Sequence, residues 1–262
     1  MNHKYAACCL AIKDDFCLEE SIAELFRQGV SRVLIVSPQM YWTDKAPQPP
    51  EDLQALKGIA ARTGAELESI DLKPESHPLY TEAAYRNYGL DLLARDEQLD
   101  CILTVDADEF WLPGTLEHID SLAGPEIKVV LPGIPVMGVP GLPIEGAKDA
   151  IYVGGCRTLR FDWGRVVKLG TEKRGELPVI HFSATRRTLA EVADKMRKSA
   201  HYDDPVYDFE GWIVSKLPTV HVGMKDAHMY KSEENIWPRV RAWTEAELSA
   251  LPPTLHPYLM RI

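Results

Sequence analysis

Nowhere does the sequence hold a run of about 18 apolar residues, so no stretch of it reads as a membrane span. Its start, Met1-Asn2-His3-Lys4, leads into only eight mostly apolar residues before Lys13-Asp14-Asp15, which argues against a secretory leader. Cysteine is scarce and odd in number: there are five, three of them (Cys8, Cys9, Cys101) inside apolar runs, and none in a Cys-x-x-Cys pair. That argues against a disulfide framework and a zinc site, and favours reduced thiols in a cytoplasmic protein. A Gly-x-Gly-x-x-Gly after the first apolar run is missing as well, Lys13-Asp14-Asp15 standing there instead, which sets a dinucleotide-binding enzyme aside.

What is present suits a folded α/β protein. With 262 residues and 45% hydrophobic content, the chain is long enough to bury a substantial core. The net charge of −10 is uneven. Between Arg157 and Ala200 stand eleven Arg or Lys and five Asp or Glu, a local balance of +6 that leaves −16 for the rest. A basic segment in an acidic chain points to local capture of an anion such as a phosphate rather than to whole-surface attraction to nucleic acid.

In order, Tyr5–Ile12 reads as a buried strand, Leu18, Ile22, Leu25 and Phe26 as a helix face closed by Gly29, and Arg32–Val36 as a second strand. A proline-rich loop follows, then a helix opened by Pro50-Glu51-Asp52 with Leu53, Leu56, Ile59 and Ala60 inward, and a weaker strand from Glu66 to Leu72. Thr81 caps a helix running to Arg95, with Ala84, Tyr88, Leu92 and Leu93 facing the core. Strand-helix alternation of this kind predicts a mixed, mostly parallel, Rossmann-like sheet flanked by helices.

The fourth strand, Cys101–Val105, runs into Asp106-Ala107-Asp108-Glu109-Phe110-Trp111. Ligands collect at the carboxyl ends of strands in such sheets. Two carboxylates one residue apart in an extended chain point the same way and can share a hard divalent cation. An Asp-x-Asp arises by chance about once in a chain of this size, and the buried strand before it is what raises its value.

Together, the first strand ending in Lys-acid-acid, Arg86-Asn87-Tyr88-Gly89-Leu90 on a helix, and the Asp106-Ala107-Asp108-Glu109 strand end about fifteen residues later resemble the GT-A glycosyltransferases of the family-2-like kind, over roughly residues 4 to 112. The resemblance implies a GT-A fold and transfer of a hexosyl or pentosyl group from a nucleotide-diphospho-sugar, a UDP-sugar first among these, to a hydroxyl acceptor. It implies Mn2+ or Mg2+ held by Asp108, with Asp106 facing the ribose or the ion's water shell. It also implies a histidine after a late strand as a further metal ligand, here His181 at the end of Pro178–Ser183. Donor contacts would come from Ala11, Lys13, Asp15, Arg86, Asp106, Ala107 and Lys195. Where the family has an Asp after the second strand, this chain has Ser37-Pro38-Gln39, which leaves the base open.

Further along, Ile127–Leu131 reads as a strand and Pro132–Pro143 as loop or edge; Tyr152–Cys156 and Arg165–Lys168 are further, antiparallel strands. Thr188 and Glu191 form a capping box for a helix with Leu189, Val192 and Met196 buried, and Arg186, Arg187, Lys195 and Lys198 are available to a phosphate. The expected division is a catalytic domain over 1–182 and a mainly helical C-terminal region over 183–262, where Trp212, Trp237 and Trp243 could meet the acceptor. An inverting transferase needs a carboxylate base, for which Asp162, Glu172, Glu176 and Glu210 are candidates; a retaining one need not. The acceptor is a glycan or another hydroxyl compound, a modified nucleic-acid base being a less favoured choice.

Two other classes fit the same residues. One is a metal-dependent phosphohydrolase with Asp106 as nucleophile and Asp108 as acid, disfavoured by the motif's place on the fourth strand and by Phe110 after it. The other is a nucleotide-sugar-binding module without transfer activity. Whatever the class, a carboxylate working on an ion rather than in the core predicts that Asp108→Asn leaves the fold intact.

Overall fold

The computed structural model describes residues 3–13, 16–41, 46–124, 127–147, 150–154, 159–164, 166–167, 170–199, 201–202, 206–229 and 237–259. Strand β1 (Tyr5–Leu10) leads through helix α1 (Leu18–Gln28) to β2 (Arg32–Pro38), and α2 (Pro50–Thr63) leads to β3 (Glu66–Ile70). Helix α3 (Pro78–Ala94) then feeds β4 (Cys101–Asp106). These four strands pair in parallel in the order β3-β2-β1-β4.

Because successive side chains alternate across a sheet, the apolar runs of β1 and β2 serve two cores. Tyr5, Ala7, Cys9, Val33 and Ile35 pack with α1 and α2 on one face; Ala6, Cys8, Leu10, Leu34 and Val36 pack with α3 on the other. Cys8, Cys9, Cys17 and Cys101 are buried free thiols; burial pushes the Cys8 thiol up to about 12, so it stays protonated.

Helix α3 departs from its expected form. It starts at Pro78, capped by His77 rather than Thr81, and its buried side chains are Leu79, Thr81, Ala83, Tyr85, Arg86, Gly89, Leu90 and Leu93. Ala84, Tyr88 and Leu92 are only partly buried. Leu93 faces the core as expected, and Tyr88 and Leu92 pack at its edge; apolar spacing missed the middle of the face because a buried arginine stands there. Gly89 has its own reason: a Cβ there would lie 2.4 Å from Cys8 Sγ and 2.7 Å from Val36 Cγ2.

A short β5 (Glu109–Trp111) and α4 (Thr115–Leu122) follow β4. Next comes β6, which begins at Ile127 as expected and runs on to Met137 through Pro132 and Pro135, where loop or edge structure was expected. The strand survives its prolines by changing partners: Pro132 is the last residue paired to β8 (Ala150–Gly154), and Gly133 the first paired to β12 (Val179–Ala184). Hairpin strand β7 (Leu142–Glu145) and β8 join the sheet antiparallel, while the small β9 (Phe161–Trp163) and β10 (Val166–Val167) pair apart, β9 beneath α3. Strand β11 (Thr171–Arg174) pairs with the start of β6. Cys156, Arg165 and Lys168, expected in strands, lie outside the described residues.

Beyond β12, helices α5 (Leu189–Arg197) and α6 (Phe209–Ser215), strand β13 (Arg239–Val240) and helix α7 (Glu245–Ala250) complete the chain. A strand spans the division expected at residue 182. The elements after it share one core with Phe16, Phe110, Val136, Met137, Leu142, Ile180 and Phe182. Trp212, Trp237 and Trp243 belong to that core, 2–8% exposed, and two of them donate from the indole nitrogen to Ala227 O (2.8 Å) and Gly141 O (3.0 Å). They are packing residues, not an open acceptor platform. Leu189 is exposed at 40%, contrary to expectation, whereas Val192 and Met196 are buried. The Thr188 cap forms, with the Glu191 carboxylate reaching the Arg187 amide.

Gly89→Ala should cost about 1–2 kcal/mol net, the gain in helix propensity offsetting only part of the overpacking. Urea denaturation measures it; an unchanged or higher midpoint would remove the close-packing explanation.

Candidate functional site

Strand β4 ends in a tight turn at Ala107–Asp108, so Asp106 and Asp108 do not continue an extended chain. The turn is pinned from several sides. Glu109, fully buried, accepts from the Asp106 amide (3.2 Å), Ser21 Oγ donates to Glu109 O (2.6 Å), Cys17 Sγ to Ala107 O (3.5 Å), and the Phe182 amide to Asp108 O (2.8 Å). The two carboxylates consequently divide between different partners, which corrects the expectation that they point the same way.

Asp106 pairs with Arg86 Nη1 at 2.7 Å, and Arg86 pairs also with Glu82 at 2.7 Å, one turn back on α3. Arg86 is 3% exposed and lies over the Phe161 ring, 5.8 Å from its centroid. Burial pulls its guanidinium down, but Asp106 and Glu82 more than offset this and hold it above its ordinary value. As described, Arg86 fixes the strand end to α3.

Asp108 is 6% exposed. Its Oδ2 accepts from Lys195 Nζ on α5 and lies 3.4 Å from Arg186 Nη2 and 3.6 Å from His181 Nε2 on β12. Burial alone would push this carboxyl up; Lys195, His181 and Arg186 instead hold it well below the usual carboxylate range. Arg186 is itself buried and donates to the carbonyls of Phe182 and Thr185. Lys195 donates also to Ser183 O at 2.9 Å.

Around this centre stand the loops leaving β1 and β2. The Ala11 amide donates to Val36 O (3.0 Å), and Gln48 joins Ile12 O to Ser37 Oγ. Lys13 reaches Asp194 on α5 (3.5 Å), which also holds Lys198 (3.0 Å), and Lys198 lies over the Tyr41 ring at 4.7 Å. Tyr41 donates to Asp52 (3.2 Å), whose carboxyl burial pushes up. Helix α5 is thus tied across the carboxyl ends of β1, β2 and β4. Tyr41 and Gln48 on the proline-rich loop and Asp194 on α5 were not expected here, and Asp52 was expected only as a helix start, since a single polar residue does not mark its position in space.

Of the expected site residues, Ala11, Lys13, Ala107, Asp108, His181 and Lys195 come together at this end of the sheet, with Asp106 and Arg86 on its α3 side. Asp15 lies outside the described residues. Of the expected bases, Glu172 is held by Lys128 (3.5 Å) and Arg174 (2.8 Å) at the start of β6, and Glu210 by Arg197 (2.7 Å) on the exposed start of α6. Neither is among the described partners of Asp108. Glu176 donates its amide to His118 Nε2 near α4, and Asp162 sits on β9 next to Phe161.

Among the described residues no three His, Cys, Asp or Glu side chains converge as a metal cage. Mg2+ is ordinarily bound by one or two carboxylates completed by substrate phosphates. Asp108 offers one such carboxylate, and His181 Nε2, 3.6 Å from its Oδ2, adds a nitrogen that favours Mn2+ over Mg2+.

No family model and no curated protein matches the chain. Among solved structures it is similar to glucosyl-3-phosphoglycerate synthase from Mycobacterium tuberculosis in complex with Mg2+ and uridine-diphosphate (12% identity, TM-score 0.44, 79% of this chain and 82% of that one). It is also similar to S. aureus TarS 1-349 in complex with UDP-GlcNAc (18%, 0.33, 50% and 34%) and to the inositol-1-phosphate CTP transferase from T. maritima (11%, 0.39, 75% and 97%). At these identities and TM-scores the likeness says nothing about what this chain binds.

The surroundings of Asp108 revise what its substitution should do. Asp108→Asn takes a buried negative charge from beside Arg186, Lys195 and His181 and should cost about 3 kcal/mol at neutral pH. The depressed carboxyl contributes stability that is present above its unfolded value of about 3.9 and is lost as pH falls through the lower folded value. The gap between wild type and variant should therefore narrow in strong acid. Urea midpoints at pH 7 and below pH 3 test this, and a gap of the same size at both would contradict it.

Proposed function

We propose that the protein is a metal-dependent glycosyltransferase that moves a sugar from a nucleotide-diphosphate donor, a UDP-sugar in the first instance, to a hydroxyl of a glycan or other acceptor. The observation carrying this reading is the set around Asp108: one buried carboxylate, one imidazole and two permanent cations at the carboxyl end of a parallel strand. The Asp108 carboxylate suits Mg2+ or Mn2+, the imidazole beside it favours Mn2+, and Lys195 and Arg186 suit the anion that such an ion brings with it. A bound ion would supply neutralisation of charge on the departing nucleoside diphosphate as the sugar bond breaks.

The chain's own residues have distinct parts in this proposal. Asp108 and His181 would hold the ion. Lys13 and Lys195 face the phosphates, and Ala11 and Ala107 line the floor at the ends of β1 and β4. Arg86 keeps Asp106 oriented toward the ribose side. The phosphohydrolase reading needs an Asp106 carboxylate directed at a phosphorus atom, and the 2.7 Å pair with Arg86 speaks against it. No described helix is long and apolar enough to cross a membrane.

The test is thermal unfolding against nucleoside diphosphates and their sugars, with and without Mn2+. A ligand at about 100 times its Kd adds about 2.7 kcal/mol to the native state. UDP with Mn2+ should raise Tm by several degrees, UDP or Mn2+ alone by less, and His181→Ala should shrink the joint shift while leaving the basal Tm nearly unchanged. No shift with any nucleoside diphosphate plus metal would overturn the reading.

A further inference from the structure

We propose that Lys195 is an exchangeable counter-cation, its ammonium holding Asp108 in the donor-free protein and passing to the donor's diphosphate when a metal ion takes its place. The inference rests on the metal-diphosphate reading above and adds a role for one side chain within it.

Asp108 has two permanent cations, and they are not equivalent. Arg186 is fixed: 2% exposed, with one guanidinium nitrogen donating to two backbone carbonyls and another 3.4 Å from Asp108 Oδ2. Lys195 is different. Its side chain is 26% exposed, it stands on α5 at the edge of the crevice, and an ammonium on an unbranched four-carbon stem can swing where a buried planar guanidinium cannot. It donates to Ser183 O (2.9 Å) and to Asp108 Oδ2, the same oxygen that lies 3.6 Å from His181 Nε2. An ion bridging Asp108 and His181 would bind that oxygen, and two cations crowded onto it repel strongly in a buried setting. One must leave, and Lys195 is the one able to.

Its destination is close at hand. Asp194, beside Lys195 on α5, gathers Lys13 from the loop after β1 and Lys198 from the next turn. A diphosphate entering between that loop and Asp108 comes within reach of a lysine released from Asp108, and the charge-assisted bond to phosphate replaces the one given up.

The exchange predicts effects of opposite sign from one substitution. In Lys195→Met the competitor for Asp108 is gone, so Mn2+ alone should bind several-fold more tightly, read from the electron paramagnetic resonance signal of free Mn2+. UDP at saturating Mn2+ should bind about tenfold more weakly, read by calorimetry, because a charged hydrogen bond to phosphate is missing. Lys195→Gln, which keeps a hydrogen bond to Asp108 without the charge, carries the same expectation if the methionine variant folds poorly. Both affinities falling together would make Lys195 a merely structural residue, and tighter Mn2+ with unchanged UDP would refute its transfer to the diphosphate; either overturns the proposal. Wild-type protein that binds neither Mn2+ nor UDP would instead overturn the underlying reading, and this inference with it.

Discussion

A carboxylate that is 6% exposed has to find positive charge inside the protein, and for Asp108 that requirement ties the two halves of the chain together. It arrives on a turn after β4; its partners arrive 73 to 87 positions later, on β12, at Arg186 and on α5. The strand-helix units before residue 112 and the elements after 178 therefore do not pack side by side as separate bodies. They share a charge cluster as well as the core around Phe110, Phe182 and Trp212.

The same requirement shapes the crevice. Lys13, Lys195 and Lys198 hold α5 against the ends of β1, β2 and β4, each on a carboxylate or an aromatic face. The contacts of Lys13 and Lys198 are partly exposed and individually weak. An anionic ligand that offers better partners can redirect them without disturbing the apolar core beneath, whereas the Arg86 pair with Asp106 and Glu82, buried against Phe161, is part of the frame.

Much of the parallel half was legible because β1, β2 and β4 are buried on both faces and so read as unbroken apolar runs, and because Gly29, Gly64 and the Pro50-Glu51-Asp52 start punctuate the helices between them. Legibility failed where a charged or rigid residue serves a tertiary purpose. Arg86 at the centre of a buried helix face displaced the assignment of α3 toward the edge of that face, and Pro132 and Pro135 hid a strand that changes partners between them. The site was legible in its residue types, Asp106, Asp108, His181 and the basic cluster. Its geometry was not, because the turn at Ala107–Asp108 is imposed by hydrogen bonds from Ser21, Cys17 and Phe182, which local sequence does not encode.

The proposed function rests on Asp108 and His181 being able to hold one ion together with a diphosphate. Anomalous diffraction at the manganese edge, from crystals grown with Mn2+ and UDP, addresses that directly. A single peak at bonding distance from both Asp108 Oδ2 and His181 Nε2, with phosphate oxygens completing its shell, is what this account predicts. UDP bound at the crevice with no peak there, or a peak coordinated by other residues, would contradict it.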